Sequence, residues 1–485
     1  MSAGPPVASQ GQARALTRTL LLIALVVAVV GSLGAPLITS VATTLGVSLA
    51  AAQWTLTIAL LAGAVATPVV GRLGAGSRRR EVVLATLGVV AAGSVLTVLP
   101  LPLGGLLAGR AAQGCGLALT PLMMAAAREH LGGPRAASAI AMISVASTVG
   151  IGIGYPLAGY LTDLGGIRAA YAAGLAVTLA ALAAAARFFP GSAQPAGPAP
   201  DAVASALLTG GLLALLIAVG ETSLWQRDLP LAVALALLTV LLLAGWATRE
   251  RALPAPLVDL RLLRHRAVAG ANAAMLVAGA AMYLLLTCIT RYVQTPRAAG
   301  YGFGLDTFTA GLFLVPFSAL GFVAGRVSPR LRSRLSAPAL LAAATVVLMG
   351  AFLLFATVRG TLAGPLLAMS LLGLGVGGFS AAMPAVILQV TPERETASAM
   401  GVNQVVRSVG FSLGSTLGAL ILAAYTSTAY TRGGAVFPAR QGYATAAWAG
   451  TAVTALALAI AVALGRYHVS GQTPPLRSVM TSRRD

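Results

Sequence analysis

Residues 19–71 read TLLLIALVVAVVGSLGAPLITSVATTLGVSLAAAQWTLTIALLAGAVATPVVG and contain no charged side chain. A helix needs about 20 apolar residues to cross the roughly 30 Å hydrocarbon core of a bilayer. This stretch is therefore long enough for two membrane-spanning helices. A short turn near Leu45 to Ser48 is expected to join them.

The rest of the chain has the same character. It is 485 residues long, 58% hydrophobic and only 9% charged, whereas about 25% of a soluble domain is charged. The net charge of +20 comes from arginines that separate apolar runs. They form no single basic face with interleaved aromatics, which argues against a nucleic-acid partner. Cys115 and Cys288 lie inside apolar runs and are expected to be buried. Neither has a partner at metal-ligand spacing, so no metal and no cofactor are expected.

Charge-free runs predict about fourteen spans in all, and hence an all-α integral membrane protein. Between Glu81 and Arg128 the only charge is Arg110, which leaves room for two spans. The later spans are expected at 136–162, 169–186, 202–220, 229–248, 267–290, 307–325, 335–358, 360–390, 398–425 and 442–465.

The arginines predict the orientation, because short cytoplasmic loops accumulate basic residues. They fall on alternate loops, at Arg14 and Arg18, 72–80, Arg128 and Arg135, 249–266, 326–334 and the C-terminal tail. Both termini are therefore expected in the cytoplasm. In the competing interpretation Arg14 to Ala35 is a cleavable signal peptide. That alternative is disfavoured because cleavage would leave an odd number of spans.

An internal repeat organises the chain. The GRL of 71–73 recurs as the GRV of 325–327, each followed by arginines at the same spacing. The ASA of 137–139 recurs at 397–399, and each copy precedes a Gly-x-x-x-Gly. Copies with the same orientation predict two halves related by an axis along the membrane normal, with the substrate path between them.

The expected organisation has two six-helix halves with two helices inserted between them. The boundaries are a cytoplasmic tail at 1–16, the N-terminal half at 17–188, a linker at 189–201, the inserted helices at 202–248, a cytoplasmic loop at 249–266, the C-terminal half at 267–466 and a cytoplasmic tail at 467–485.

Three motifs occur in order along the first half: GRLGAGSRRR at 71–80, LAGRAAQGCG at 107–116 and GIGIGYPLAG at 150–159. With the repeat, they make the chain resemble the major facilitator superfamily, in particular its fourteen-span drug:proton antiporter branch. The resemblance implies a monomeric plasma-membrane exporter of small organic, drug-like molecules. Such an exporter works by proton antiport and alternating access, and its partners are the lipid bilayer, the substrate and protons.

The first motif is implied to be a cytoplasmic gate loop, with Gly71 and the arginines Arg72, Arg78, Arg79 and Arg80. Glycine lets helix ends approach closely, and the arginines can bind helix C-terminal carbonyls or lipid phosphates. The alternative is that these arginines only anchor the topology. The chain departs from the family pattern at Ala75, where an aspartate is usual, which predicts a weakened or rearranged latch.

Arg110 lies near the middle of its span, where an unpaired cation is costly. It is therefore expected to face the protein interior, with Gln113 one turn along. Arg110 takes part in proton transfer or substrate gating in one interpretation. In the other, backbone oxygens accept its hydrogen bonds and it serves only packing. Arg407, near Asn403 on the same helix face, supports a similar argument.

The third motif is implied to be the antiporter motif. Gly150, Gly154 and Gly159 predict a smooth helix face for close packing, and Pro156 removes one helical hydrogen bond. The second copy keeps Gly410 and Gly414 but lacks the proline.

Proton coupling needs a carboxylate whose pKa is shifted into the working range. The first span contains none. The remaining possibilities are Glu221, Asp163 and Asp306. Each of these residue types is more often a solvated loop residue, and Glu221 ranks first because it adjoins the longest apolar run.

Residues suited to an amphipathic cargo are spread along the chain, because methionine and aromatic surfaces adapt to varied shapes. They are Trp54, Met123, Met275, Met282, Tyr283, Phe313 and Phe317. A passive facilitator or importer on the same fold is the alternative function. A membrane-embedded enzyme is disfavoured, because the sequence has no phosphate-binding loop or hydrolase motif.

Overall fold

The computed structural model describes residues 10–192, 194–195, 199–220, 225, 228–254, 256–425 and 437–469. The regular elements of these segments are helices. The first seven are α1 (Gln10–Ser32), α2 (Gly34–Leu45), α3 (Leu49–Leu73), α4 (Arg79–Val98), α5 (Leu103–Gly114), α6 (Leu119–Leu131) and α7 (Gly133–Phe188). The next are α8 (Ala202–Gly220), α9 (Leu229–Ala252), α10 (Leu260–Arg264), α11 (Arg266–Gln294) and α12 (Thr307–Leu312). The last are α13 (Leu314–Leu331), α14 (Ala337–Val358), α15 (Ala363–Leu388), α16 (Thr396–Ala424) and α17 (Arg440–Val469).

Local sequence signals explain where the helices begin and end. Ser48 and Ser336 cap α3 and α14, each accepting a hydrogen bond from the backbone N–H three residues on. Asp228 caps α9 in the same way. Gly46 ends α2 in the left-handed conformation, with φ of 63°. The turn predicted near Leu45 to Ser48 is therefore confirmed.

Within the described residues, twelve helical segments are long and apolar enough to cross a membrane. The segment Gly133–Phe188 contains a break, because Gly165 and Gly166 have non-helical backbone angles. Helices α5 and α6 are separated by a short 3₁₀ turn at Cys115–Ala118. The chain is thus an all-helical protein with many apolar helices, and the count of fourteen spans stays a prediction.

The packing brings the repeated motifs into reciprocal contact. A Cβ placed on Gly71, at the end of α3, would lie 3.7 Å from the carbonyl oxygen of Ala397 in α16. A Cβ on Gly325, at the end of α13, would lie 2.8 Å from a methyl group of Val145 in α7. The glycine of each Gly-Arg repeat, at 71 and at 325, therefore contacts the helix that carries the Ala-Ser-Ala repeat of the other half.

Helices α8 and α9 pack against each other at the side of this bundle. Arg249 and Asp201, at adjacent ends of the pair, form an ion pair of 2.9 Å. Helix α8 also packs on α3, where Leu216 contacts the cluster around Leu61. Helix α9 leaves large apolar side chains exposed, including Leu241 at 69%, which suits contact with lipid.

Candidate functional site

Arg110 in α5 is completely buried. Its guanidinium donates hydrogen bonds to the carbonyl oxygens of Val30, Gly31 and Thr55, at 2.9, 3.2 and 3.0 Å. It also donates to Gln113 Oε1 at 2.8 Å. Carbonyl oxygens therefore surround the cation. This agrees with the prediction that Arg110 faces the protein interior.

Gln113 extends this network to a further helix. Its Nε2 donates to Ser94 Oγ at 3.0 Å and to Thr97 Oγ1 at 3.2 Å. The Arg110 and Gln113 side chains therefore join α1, α3, α4 and α5 inside the first half. A side chain at Gly34 would lie 2.5 Å from the guanidinium, so the close approach of α2 depends on that glycine.

The loop at 71–80, which the family resemblance implies to be a gate loop, is organised around Arg79, which is only 3% exposed. Arg79 forms an ion pair with Glu129 at the end of α6, and Glu129 also accepts a hydrogen bond of 2.7 Å from Ser192. Arg80 donates to the carbonyl oxygen of Ala186 at 2.8 Å. These contacts fasten the loop to the ends of α6 and α7 within its own half.

Arg128 connects the two halves at this arginine-rich end of the bundle. It donates to Thr396 Oγ1 at 2.9 Å and to the carbonyl oxygens of Leu388 and Thr391, both at 3.0 Å. Leu388 is the last residue of α15 and Thr391 follows just beyond it, so the cation lies at a helix C-terminus, where positive charge is favoured. The sequence predicts Arg128 only as a loop arginine, since its acceptors lie about 260 residues away.

Glu250, at the end of α9, is a second residue that the sequence does not single out. It is 2% exposed, and its Oε1 accepts a hydrogen bond of 2.6 Å from the backbone N–H of Val258. It also interacts electrostatically with Arg72 of the gate loop. Among the described acidic residues it is the one that is fully buried. Only a weak signal in the sequence marks Glu250, which lies between Arg249 and Arg251 at the end of an apolar run.

The antiporter motif presents glycines on two faces of α7. A Cβ on Gly150 would lie 2.8 Å from the carbonyl carbon of Ala28, and Ser32 Oγ donates to the Gly150 carbonyl oxygen at 3.1 Å. Gly154 meets Ser32 as well. These two glycines pack against α1 inside the first half.

The other face meets the second half. A Cβ on Gly152 would overlap Ser318, whose Oγ donates to the carbonyl oxygen of Thr148 at 2.5 Å. A Cβ on Gly159 would lie 3.3 Å from the ring of Phe308. Pro156 lies inside α7, where the residues with non-helical angles are Gly165 and Gly166.

Several predicted cavity residues come together in the second half. Arg407 is 7% exposed and donates to Gln404 Oε1 at 2.5 Å. Its guanidinium lies 5.8 Å from the ring centroid of Phe411, which stacks on Tyr283 at 4.6 Å. Arg407, Met275 and Met282 line a cavity of about 20 Å³, which is room for about one water molecule.

The remaining predicted residues lie elsewhere. Asn403 donates to Asn272 Oδ1 at 2.9 Å. Met123 is buried in the common core, and Trp54 packs against α8 rather than a central cavity. Phe313 and Phe317 are also buried in the core.

The predicted proton-coupling carboxylates are not brought together with these sites. Asp163 is exposed. Asp306 caps α12, and the backbone N–H and hydroxyl of Thr309 hold the pKa of its carboxyl below the ordinary value. Glu221 lies outside the described residues.

The fold agrees with known transporters. The structure of the proton:xylose symporter XylE superposes with a TM-score of 0.64 at 12% sequence identity, covering 93% of this chain and 95% of that one. At that identity the likeness shows the fold alone.

Two sequence relatives are named for export or resistance. A multidrug resistance protein B homolog of Mycobacterium tuberculosis is 25% identical over 389 residues, covering 78% of this chain and 70% of the relative. A probable actinorhodin transporter of Streptomyces coelicolor is 28% identical over 393 residues, covering 76% of this chain and 65% of the relative.

The family model described as the Major Facilitator Superfamily matches residues 20–415. This family and its fold are those of transporters, not enzymes. With its helical architecture, its reciprocal half-to-half contacts and this match over most of its length, the chain belongs to the major facilitator superfamily.

Proposed function

We propose that the chain is a secondary active exporter of small amphipathic molecules, driven by proton antiport across the plasma membrane. The observation that carries the proposal is the interface between halves, in which α7 meets α13 and α3 meets α16 through closely packed glycines. Two such surfaces allow the halves to rock about a path between them. The relatives named for multidrug resistance and actinorhodin transport support export as the direction.

The chain crosses the membrane fourteen times in this proposal, with both termini in the cytoplasm. Two observations support more spans than the twelve long apolar segments. The break at Gly165 and Gly166 divides α7 into two rods, each long enough to span. Helices α5 and α6, with the 3₁₀ turn between them, cover Leu103–Leu131 and supply another. Helices α8 and α9 are then the inserted pair of the drug:proton antiporter branch.

The arginine-rich end is the cytoplasmic gate in this proposal. Gly71 allows α3 to approach α16, and Arg128 binds carbonyls at the end of α15. Arg128 thereby supplies a cross-half contact in a loop where the methyl side chain of Ala75 offers no hydrogen-bond acceptor. Opening this end requires these charge-assisted hydrogen bonds to break, and each such bond contributes about 1.5–3 kcal/mol.

The cargo site lies beside Arg407, Tyr283 and Met275 in this proposal. The Phe411 ring and the methionines offer polarisable apolar surface, and the cavity beside them is lined by residues of the second half. Gln113 belongs to the Arg110 network and acts by positioning α1 and α3. Trp54 and Met123 contribute by packing.

Proton coupling is assigned to the set Glu221, Asp163, Asp306 and Arg110. Glu221 comes first because it follows the apolar helix α8 directly. Asp306 comes last, since a carboxyl with a lowered pKa stays ionised through the working range. Arg110 acts indirectly in this set, by holding α1 and α3 in place through its hydrogen bonds.

The experiment is uptake of a fluorescent lipophilic cation, ethidium, into inside-out vesicles that contain the protein. Uptake against a concentration gradient is expected when the lumen is acidic. It should stop when an ionophore collapses the proton gradient. Downhill uptake that continues unchanged after the collapse would instead identify a passive facilitator.

A further inference from the structure

A groove of about 580 Å³ opens at the arginine-rich end between α1, α7 and α13. Four arginines line it: Arg14 and Arg18 from α1, Arg135 from α7 and Arg326 from α13. The described lining contains no acidic residue. Four cations without a nearby acid create a strongly positive site.

The four guanidinium groups are available to a ligand. All four residues are exposed, and none belongs to the ion pairs formed within the described part of the chain. The other arginines of this end are engaged, because Arg79 pairs with Glu129 and Arg128 binds carbonyl oxygens. Fixing the gate therefore does not account for the arginines of the groove.

The groove is apolar below its charged rim. Leu21, Met142 and Phe322 line it, and Phe322 is 46% exposed. A site that combines several guanidinium groups with an apolar wall matches an amphiphile that has an anionic head and a hydrocarbon tail.

We propose that this arginine groove binds one anionic phospholipid of the leaflet at the arginine-rich side. Its phosphate is held by Arg14, Arg18, Arg135 and Arg326, and one acyl chain lies along Phe322 and Met142. Because α1 and α7 belong to the first half and α13 to the second, the lipid bridges the halves. The site is separate from the cargo cavity at Arg407 and does not depend on the direction of transport.

The test uses native mass spectrometry of the purified full-length protein with phosphatidylglycerol or phosphatidylcholine. The wild type is expected to retain one phosphatidylglycerol, with a preference over phosphatidylcholine of about tenfold or more. Replacing all four groove arginines by glutamine should abolish the preference. A matched control replaces four exposed arginines outside the groove, Arg261, Arg264, Arg332 and Arg334, by glutamine and should keep it.

A second variant leaves every charge in place. Ser138→Trp fills the groove and should also abolish retention of phosphatidylglycerol, which guards against a charge variant that fails to insert. Retention that survives in both groove variants, or that is lost equally in the control, overturns the proposal. Displacement of the lipid by equimolar glycerol phosphate overturns it too, because it would identify a free-anion site.

Discussion

At the residue scale, Arg110 links several helices of the first half through its hydrogen bonds. A buried guanidinium is tolerated because carbonyl oxygens of α1 and α3 and the Gln113 amide surround it. Its charge is fixed at every physiological pH. The arginine therefore holds helices together, and in the proposed proton exchange we expect its role to be this indirect one.

Replacing Arg110 tests that role. Arg110→Met removes charge-assisted hydrogen bonds and should lower stability by about 2–4 kcal/mol, measured by denaturation in detergent. Arg110→Lys keeps the charge but lacks the planar fork, so it should fold yet lose most transport. Equal transport by the lysine variant and the wild type would contradict a geometric role for the guanidinium.

At the element scale, α7 packs on one side within the first half and on the other side against the second half. Gly150 and Gly154 face α1, whereas Gly152 faces Ser318 in α13. Glycines at these positions remove the Cβ atoms that would hold the helices apart. The two faces should therefore respond differently to the same substitution.

The glycine faces give a prediction with an internal control. Gly150→Ala should lower stability because its Cβ meets the backbone of Ala28, whereas Gly152→Ala should mainly impair transport by wedging the halves apart. Gly88→Ala has open space around the new methyl group and should be neutral or stabilising by up to about 1 kcal/mol. Melting temperature and vesicle uptake of the three variants separate the effects. Transport by Gly152→Ala at the wild-type rate would contradict the assignment of that face.

The proposed gate also belongs to the element scale, because it consists of the contact between α6 and the end of α15. Arg128→Gln should shift the population toward an open arginine-rich end, because it removes hydrogen bonds to Leu388, Thr391 and Thr396. Spin labels at Ser77 and Arg394, in a chain with both native cysteines replaced, report the distance across that end. Arg332→Gln is the matched charge control and should leave the distances unchanged. An unaltered distribution in Arg128→Gln would remove Arg128 from the gate.

At the scale of the whole molecule, the sequence predicts what depends on local patterns. The turn at Gly46 falls within a charge-free run that is long enough for two spans. The helix break near Gly165 falls between Asp163 and Arg168, which separate two predicted spans. The buried setting of Arg110 follows from the cost of a cation within a span. The five-residue helix α10 lies within the segment 249–266, which the sequence predicts as a loop.

Long-range pairings could not be predicted in the same way. Arg128 meets carbonyls of another half, and Arg79 meets Glu129 across 50 residues. Composition alone does not distinguish which of the loop arginines makes such a contact. Trp54 is the opposite case, because an aromatic residue that is suited to a cargo site packs against α8 instead.

The central claim is that cargo leaves the cell in exchange for protons. Its most direct test is the luminal pH of acidified inside-out vesicles during addition of a lipophilic cation, with wild type and Glu221→Gln compared at equal protein content. Cargo is expected to make the lumen of wild-type vesicles more alkaline, and Glu221→Gln is expected to lose this response. Cargo transport without any change of luminal pH in the wild type would contradict proton antiport.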